Sequence, residues 1–251
     1  WRLMQSMAFN LHTIRLFIFT LLLAAGQYCF AETNIYASNG YYTSAVTWEK
    51  SKSPYILHVD VNIEKRGTLV IEPGVEVVGN GNKIKVGGRL YAGYVEGHKN
   101  DSPKNEKVTI KNAHLEAAGI GDRIMEISHA DFTYGRIEYS SRDRPLKKQF
   151  KISNSSLNHT DLHGAYPHGD LIVIKDNTFN NDSNLYCQSC GVDESNNNGY
   201  GGSNIGKMTI TGNSFNKQTR ISINSHRLTD LIINNNSFNE RSSGISVSPH
   251  S

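Results

Sequence analysis

An all-β solenoid of parallel coils is the fold this sequence predicts, and three observations predict it. An aliphatic residue is followed five positions later by Phe or Leu six times: Ile110–Leu115, Ile127–Phe132, Ile152–Leu157, Ile174–Phe179, Ile210–Phe215 and Ile233–Phe238. Another apolar residue stands two positions before each Ile (Val108, Met125, Phe150, Ile172, Met208, Leu231), and residues two apart share one face of a strand. The step from Ile to Ile is 17, 25, 22, 36 and 23 residues. No helical pattern of about 10–15 residues lies between copies, which excludes βαβ units. A leucine-rich repeat has a similar period, but its Leu-rich consensus is missing. The 17-residue step is short for a full coil.

The elements follow in chain order. Residues 11–31 contain LFIFTLLLAAGQYCFA, preceded by Arg2 and Arg15. A basic start, an apolar stretch and a small residue before Glu32 describe a secretory signal peptide spanning 1–31. The apolar stretch is too short for a comfortable membrane span. Tyr28 stands where a lipid-anchoring signal wants a small residue, so anchoring through Cys29 is not expected. Residues 32–251 form the solenoid domain, with 32–66 as the start of an N-terminal cap and 67–93 as the first coils. A cap is needed because an open strand edge recruits other chains. EGHKNDSPKNEK at 96–107 reads as a loop ejected between coils.

The later copies, IVIKDNTF, MTITGNSF and LIINNNSF, place Asn, Asp, Gly and Ser after the strand. Those residues tolerate left-handed backbone or hydrogen-bond their own main chain, so they suit a bend. Asn177, Asn213 and Asn236 occupy one place in three repeats and are expected to hydrogen-bond along the axis. Phe179, Phe215 and Phe238 are expected to stack inside the coils. Residues 182–206 break the rhythm as an inserted Asn-, Gly- and Ser-rich loop carrying Tyr186 and Tyr200. Insertions in solenoids tend to lie on one face and often form the binding face. Ile221 and Ile223 are matched by Ile245 and Val247, so coils continue to the last residues.

Charge and cysteines narrow the partners. Without 1–31, 24 Lys and Arg face 23 Asp and Glu, so the net charge falls from +3 to +1. Nucleic acid is not implied. Cys187 and Cys190 form a CQSC in a polar loop of an exported chain, and a small loop disulfide is the expectation in an oxidising compartment. One CxxC supplies two of the four ligands a structural zinc requires.

TLVIEPGVEV, with Trp48 before it and GGRLYA after it, resembles the opening of exported right-handed parallel β-helix proteins of the pectate-lyase-like superfamily, of bacterial type. The resemblance covers roughly 45–251 and extends to the I-x-x-N-x-F copies. It implies a right-handed parallel β-helix with an N-terminal cap. The superfamily includes polysaccharide lyases, hydrolases, epimerases and non-catalytic surface proteins, so fold alone does not choose a function. Its lyases abstract a proton beside a uronate carboxylate. They use a cation, often calcium, or a basic residue to stabilise the enolate, with Lys or Arg as base. The resemblance implies Lys175, Asp176 and Arg220 as catalytic candidates. Lys151 and Arg227 would join a basic patch if their coils align.

HTDLHGAYPHGD at 159–170 has the residue types of an acid–base or metal site, with His159, Asp161, His163, His168 and Asp170. Gly164, Pro167 and Gly169 read it as a solvated loop, and no metal spacing is present. His163, His168, Tyr186, Tyr200 and His226 are the substrate-binding candidates. Two functions are expected. One is an exported, monomeric glycan-binding or envelope module, at the cell surface or in the periplasm, without catalysis or cofactor. The alternative is a carbohydrate-active enzyme, a polysaccharide lyase on acidic glycans, with calcium as its cofactor.

Overall fold

The computed structural model describes residues 32–95, 106–117, 123–140, 148–165, 171–191, 207–227 and 230–249. The expected signal peptide, His168, Asp170, Tyr200 and most of the 96–107 loop lie outside them, as do the side chains of Cys190, His226 and Arg227.

Alternating apolar and polar residues make short strands, and bends between them turn the chain through three faces per coil. The first face takes Thr33–Ile35, Tyr55–Leu57, Glu76–Val78, Val108–Lys111, the starts of Ala130–Ser140 and Ser156–Ala165, then Thr178–Asn180, Ser214–Phe215 and Ser237–Phe238. On the second face lie Tyr41–Tyr42, Val61–Ile63, Lys83–Val86, His114–Ala117, the ends of the same two long strands, then Leu185–Gly191, Ile221–Arg227 and Ile245–Pro249. The third face is an 8-stranded sheet: Ala45–Trp48, Thr68–Ile71, Arg89–Gly93, Arg123–Ser128, Lys148–Ser153, Leu171–Lys175, Lys207–Thr211 and Leu231–Asn234. Every pairing is parallel to the next coil. The third-face strands number coils 1 to 8, and a ninth begins with Ser237–Phe238. The chain is therefore a parallel β-solenoid.

Residues 33–63, expected as the start of a cap, already pair as coils 1 and 2. Trp48 closes their interior. It is 1% exposed, stacks on Tyr55 at 4.7 Å and donates its indole N–H to the Tyr42 hydroxyl.

The short 17-residue step has a simple cause. Ile110 lies on the first face and Leu115 on the second, whereas Ile127, Ile152, Ile174, Ile210 and Ile233 all lie on the third. Ile110 to Ile127 is thus two sides of one coil, not a whole one. Two other expected loops are strands. Residues 159–165 belong to Ser156–Ala165, because Thr160 and Leu162 alternate inward. Residues 185–191 form a second-face strand with Leu185 and Cys187 inward. The insertion is therefore shorter than 182–206.

Asn carries the bend between third and first faces. Asn177 Nδ2 donates to Asn213 Oδ1 at 3.1 Å, and Asn213 Nδ2 donates to Asn236 Oδ1 at 2.9 Å. A second ladder, unforeseen in the sequence, runs outside it from Asn180 through Asn216 to Asn239. The residue before each inner Asn is left-handed: Asp176, Gly212 and Asn235 have φ of 54°, 69° and 53°. Asp, Gly and Asn are the residues that adopt this backbone most readily.

Candidate functional site

On the second face, outward residues in register form columns running along the axis. One passes from Lys85 through Glu116, Glu138, His163 and Tyr186 to Ser222. Over coils 2 to 5 this face is an ion-pair ladder. Lys85 meets Asp60 at 2.7 Å, Lys83 meets Glu116 at 2.9 Å, and Arg136 meets Glu138 at 3.4 Å. Such exposed pairs contribute about 0–1 kcal/mol each and are ordinary solvated surface. From coil 6 the ladder stops, and no second-face ion pair within 4.0 Å follows among the described residues.

A groove of about 480 Å³ opens where the ladder ends. Arg136, Asp161, His163, Tyr186, Ser222 and Asn224 line it, over inward Cys187. Register between four coils builds it, since these residues lie up to 88 positions apart in the chain. Asn184 fixes Asp161 by donating from its backbone N–H at 2.9 Å and its amide at 3.1 Å. Arg220 donates to the Tyr186 hydroxyl at 2.7 and 3.1 Å, with its guanidinium carbon 5.0 Å from that ring's centre. Two groove atoms are buried without a hydrogen-bond partner among the described residues: the donor Arg136 Nε and the acceptor Asn224 Oδ1.

Arg136 Nη2 donates to His163 Nδ1 at 2.7 Å. A guanidinium only donates, so Nδ1 must accept, and the ring proton sits on Nε2. Burial lowers the His163 pKa below 6.5, and the Arg136 charge lowers it further, against the opposing pull of Glu138 and Asp161. The imidazole is therefore neutral at neutral pH. A neutral folded form means that below pH 6.5 the unfolded chain binds this proton more readily. His163 thus adds nothing to the pH dependence well above 6.5 and weakens the fold as pH falls from there. His163→Gln is expected to flatten this acid limb in urea titrations run between pH 7.5 and 5; an unchanged limb would place the titration elsewhere.

The sequence-derived candidates are not all brought together. His163 and Tyr186 face the groove, their rings 6.4 Å apart edge to face, and Arg220 joins them through Tyr186. Lys175 and Asp176 stand at the bend from third to first face, 3.7 Å apart. Asp176 occupies the left-handed place that Gly212 and Asn235 fill in the next coils, which is the work of a bend residue. The three catalytic candidates are thus divided between two corners. Lys151 lies on the third face beside Glu126 at 3.6 Å, so it adds nothing to a patch around Arg220. Cys187 is disulfide-bonded, and its expected partner Cys190 has its side chain outside the described residues. Among the described residues no group of three or more His, Cys, Asp or Glu could hold a metal ion.

Sequence reading missed Arg136 and Asn224. A signal for Arg136 exists: Arg136 and Glu138 alternate with inward Ile137 and Tyr139, as His114 and Glu116 do with Leu115 and Ala117. Comparisons with family models, curated proteins and solved structures find no match. The β-helix resemblance therefore rests on the motifs and on the coils themselves.

Proposed function

We propose that this protein is an exported, non-catalytic glycan-binding module whose ligand lies in the second-face groove. The observation that carries the reading is the mixed lining of this groove: the Arg136 guanidinium, the Asp161 carboxylate, the Ser222 hydroxyl and the Asn224 amide all border one space of about 480 Å³. A guanidinium only donates, a carboxylate only accepts, and a hydroxyl or amide does both. A ligand that both donates and accepts matches such a lining, and sugar hydroxyls do so. Tyr186, held by Arg220, adds an aromatic edge to the polar set, as carbohydrate grooves require. Export rests on the character of residues 1–31.

A polysaccharide lyase is the second reading, because an imidazole, a phenol and two guanidiniums converge on one groove. Proton abstraction needs a free basic lone pair within reach of the substrate. His163 uses its lone pair to accept from Arg136, which supports binding over catalysis.

A printed panel of neutral and acidic oligosaccharides tests the proposal. The protein is expected to retain at least one glycan, and Tyr186→Ala with Asn224→Ala to weaken that binding roughly tenfold or more without loss of folded signal. Retention of nothing would overturn it. Acidic polysaccharides incubated with and without calcium, followed by ultraviolet absorbance of unsaturated product, give the second arm; a rise would replace the binding module with the lyase.

A further inference from the structure

We infer that the corner between first and second faces in coils 6 to 9 is a second saccharide subsite, which the same glycan reaches by crossing from the second-face groove. The inference rests on the glycan-binding reading above. Its basis is a separate groove of about 510 Å³, bounded by His159 at one end and by Asp182, Lys217, Glu240 and Arg241 along it.

The backbone there is costly. In three successive coils the corner uses two consecutive left-handed residues: Asn181 and Asp182 (φ 49° and 63°), Lys217 and Gln218 (54° and 66°), Glu240 and Arg241 (48° and 66°). Left-handed backbone costs about 1–2 kcal/mol for most residues and least for Gly, Asn and Asp. The opposite corner meets that demand with Asp176, Gly212 and Asn235. In coil 7 Asn181 and Asp182 follow the same preference, but coils 8 and 9 place Lys217, Glu240 and Arg241 there, and backbone preference does not account for those three.

Ion pairing does not account for them either. Nine other lysines on the solenoid pair with carboxylates at 2.7–3.8 Å. Among the described residues, no ion pair within 4.0 Å involves Asp182, Lys217, Glu240 or Arg241. Charges of both signs thus line one groove without a close ion pair among them. A simple anion meets Asp182 and Glu240, and a simple cation meets Lys217 and Arg241. A saccharide suits both, since its hydroxyls donate to carboxylates and accept from cations. His159, at the end of the groove, is exposed and stacks on Tyr134 at 4.9 Å with 4° between planes, and Tyr134 remains 63% exposed.

The two grooves adjoin. His159 stands at the corner and His163 on the second face, four residues apart in Ser156–Ala165, so their Cα atoms are at most about 14 Å apart. Both cross coils 6 to 8. A short oligosaccharide fills one groove, and a longer one reaches both.

The test uses the full chain and a size series, disaccharide to hexasaccharide, cut from the glycan that the wild-type protein retains best on the printed panel. Lys217→Asn with Arg241→Asn removes both cations and suits the left-handed backbone, so melting temperature is expected to hold or rise. Wild-type affinity is expected to climb with length. The double variant is expected to bind the shortest sugar unchanged and to lose the climb, a deficit of roughly tenfold or more at the longest. Tyr186→Ala is expected to weaken every length. If the double variant follows the wild-type curve throughout, the corner is no subsite and the groove reading stands. If the wild-type protein retains nothing on the panel, the glycan reading fails and takes this one with it.

Discussion

Phe215→Ala is expected to destabilise the protein by about 3–5 kcal/mol, the range for losing a buried aromatic ring. Phe215 is fully buried. Its ring stacks between Phe179, at 4.6 Å and 11°, and Phe238, at 5.0 Å and 12°. Truncation removes the ring's own burial and both stacks, each worth about 0.5–1.5 kcal/mol beyond area. The gap cannot close easily, because the rungs above and below are fixed by main-chain pairing to Phe215 itself. Solenoid stability is a sum over coils and their neighbours. The damage should therefore concentrate in coils 7 to 9, read as faster hydrogen exchange there than in coils 1 to 3. Phe238→Ala is the control: Phe238 is only partly buried, so its loss should cost less. Near-neutral stability for Phe215→Ala would mean that the inner column has been assigned to the wrong register.

The inner column was legible because its causes are local. Val108, Met125, Phe150, Ile172 and Met208 are all buried, as apolar residues two before a buried Ile must be in a strand. Bend chemistry was legible for the same reason: Asp, Gly and Asn precede the inner Asn where the chain turns left-handed. What the pattern did not reveal was which face each copy occupied. Apolar–bend–apolar is the code for every corner, so Ile110–Leu115 reads like the other copies while turning a different one. The candidate site was less legible still. Arg136, His163, Tyr186 and Asn224 meet through register between four coils. That register is set by pairing between strands far apart in the chain, which no single segment encodes. His163 and Tyr186 were identifiable by residue type. Asp176 was singled out by type as well, but its backbone position makes it a bend residue.

Asn213→Ala is expected to rival the Phe215 substitution in cost although it removes few apolar atoms. Asn213 is 1% exposed and sits at the centre of the inner ladder. Its Oδ1 accepts from the Asn177 backbone N–H at 3.0 Å and from Asn177 Nδ2 at 3.1 Å. Its Nδ2 donates to the carbonyls of Ile174 and Thr211 and to Asn236 Oδ1. Asn177 Nδ2 keeps a second acceptor, the Ile152 carbonyl, but the Asn177 N–H loses its partner in a site that admits no water easily. The Ile174 carbonyl loses its Asn213 donor as well, whereas the Thr211 carbonyl and Asn236 Oδ1 keep the backbone N–H groups of Asp176 and Asn213; two buried groups at about 1–3 kcal/mol each give about 2–6 kcal/mol. Asn213→Asp separates the two halves of the amide's work. It keeps the acceptor, loses all three donated bonds and sets a charge against carbonyl oxygens, so it should be nearly as damaging at neutral pH and partly relieved in acid, where the carboxyl protonates and can donate once. Asn236→Ala, at a half-exposed position whose groups water can reach, should cost clearly less. Chemical denaturation of the three variants at pH 7 and pH 4 orders them. Equal losses for Asn213→Ala and Asn236→Ala would mean that the ladder is decoration on an apolar solenoid, whereas a steep difference makes the buried amide column as much a part of the core as the aromatic one beside it.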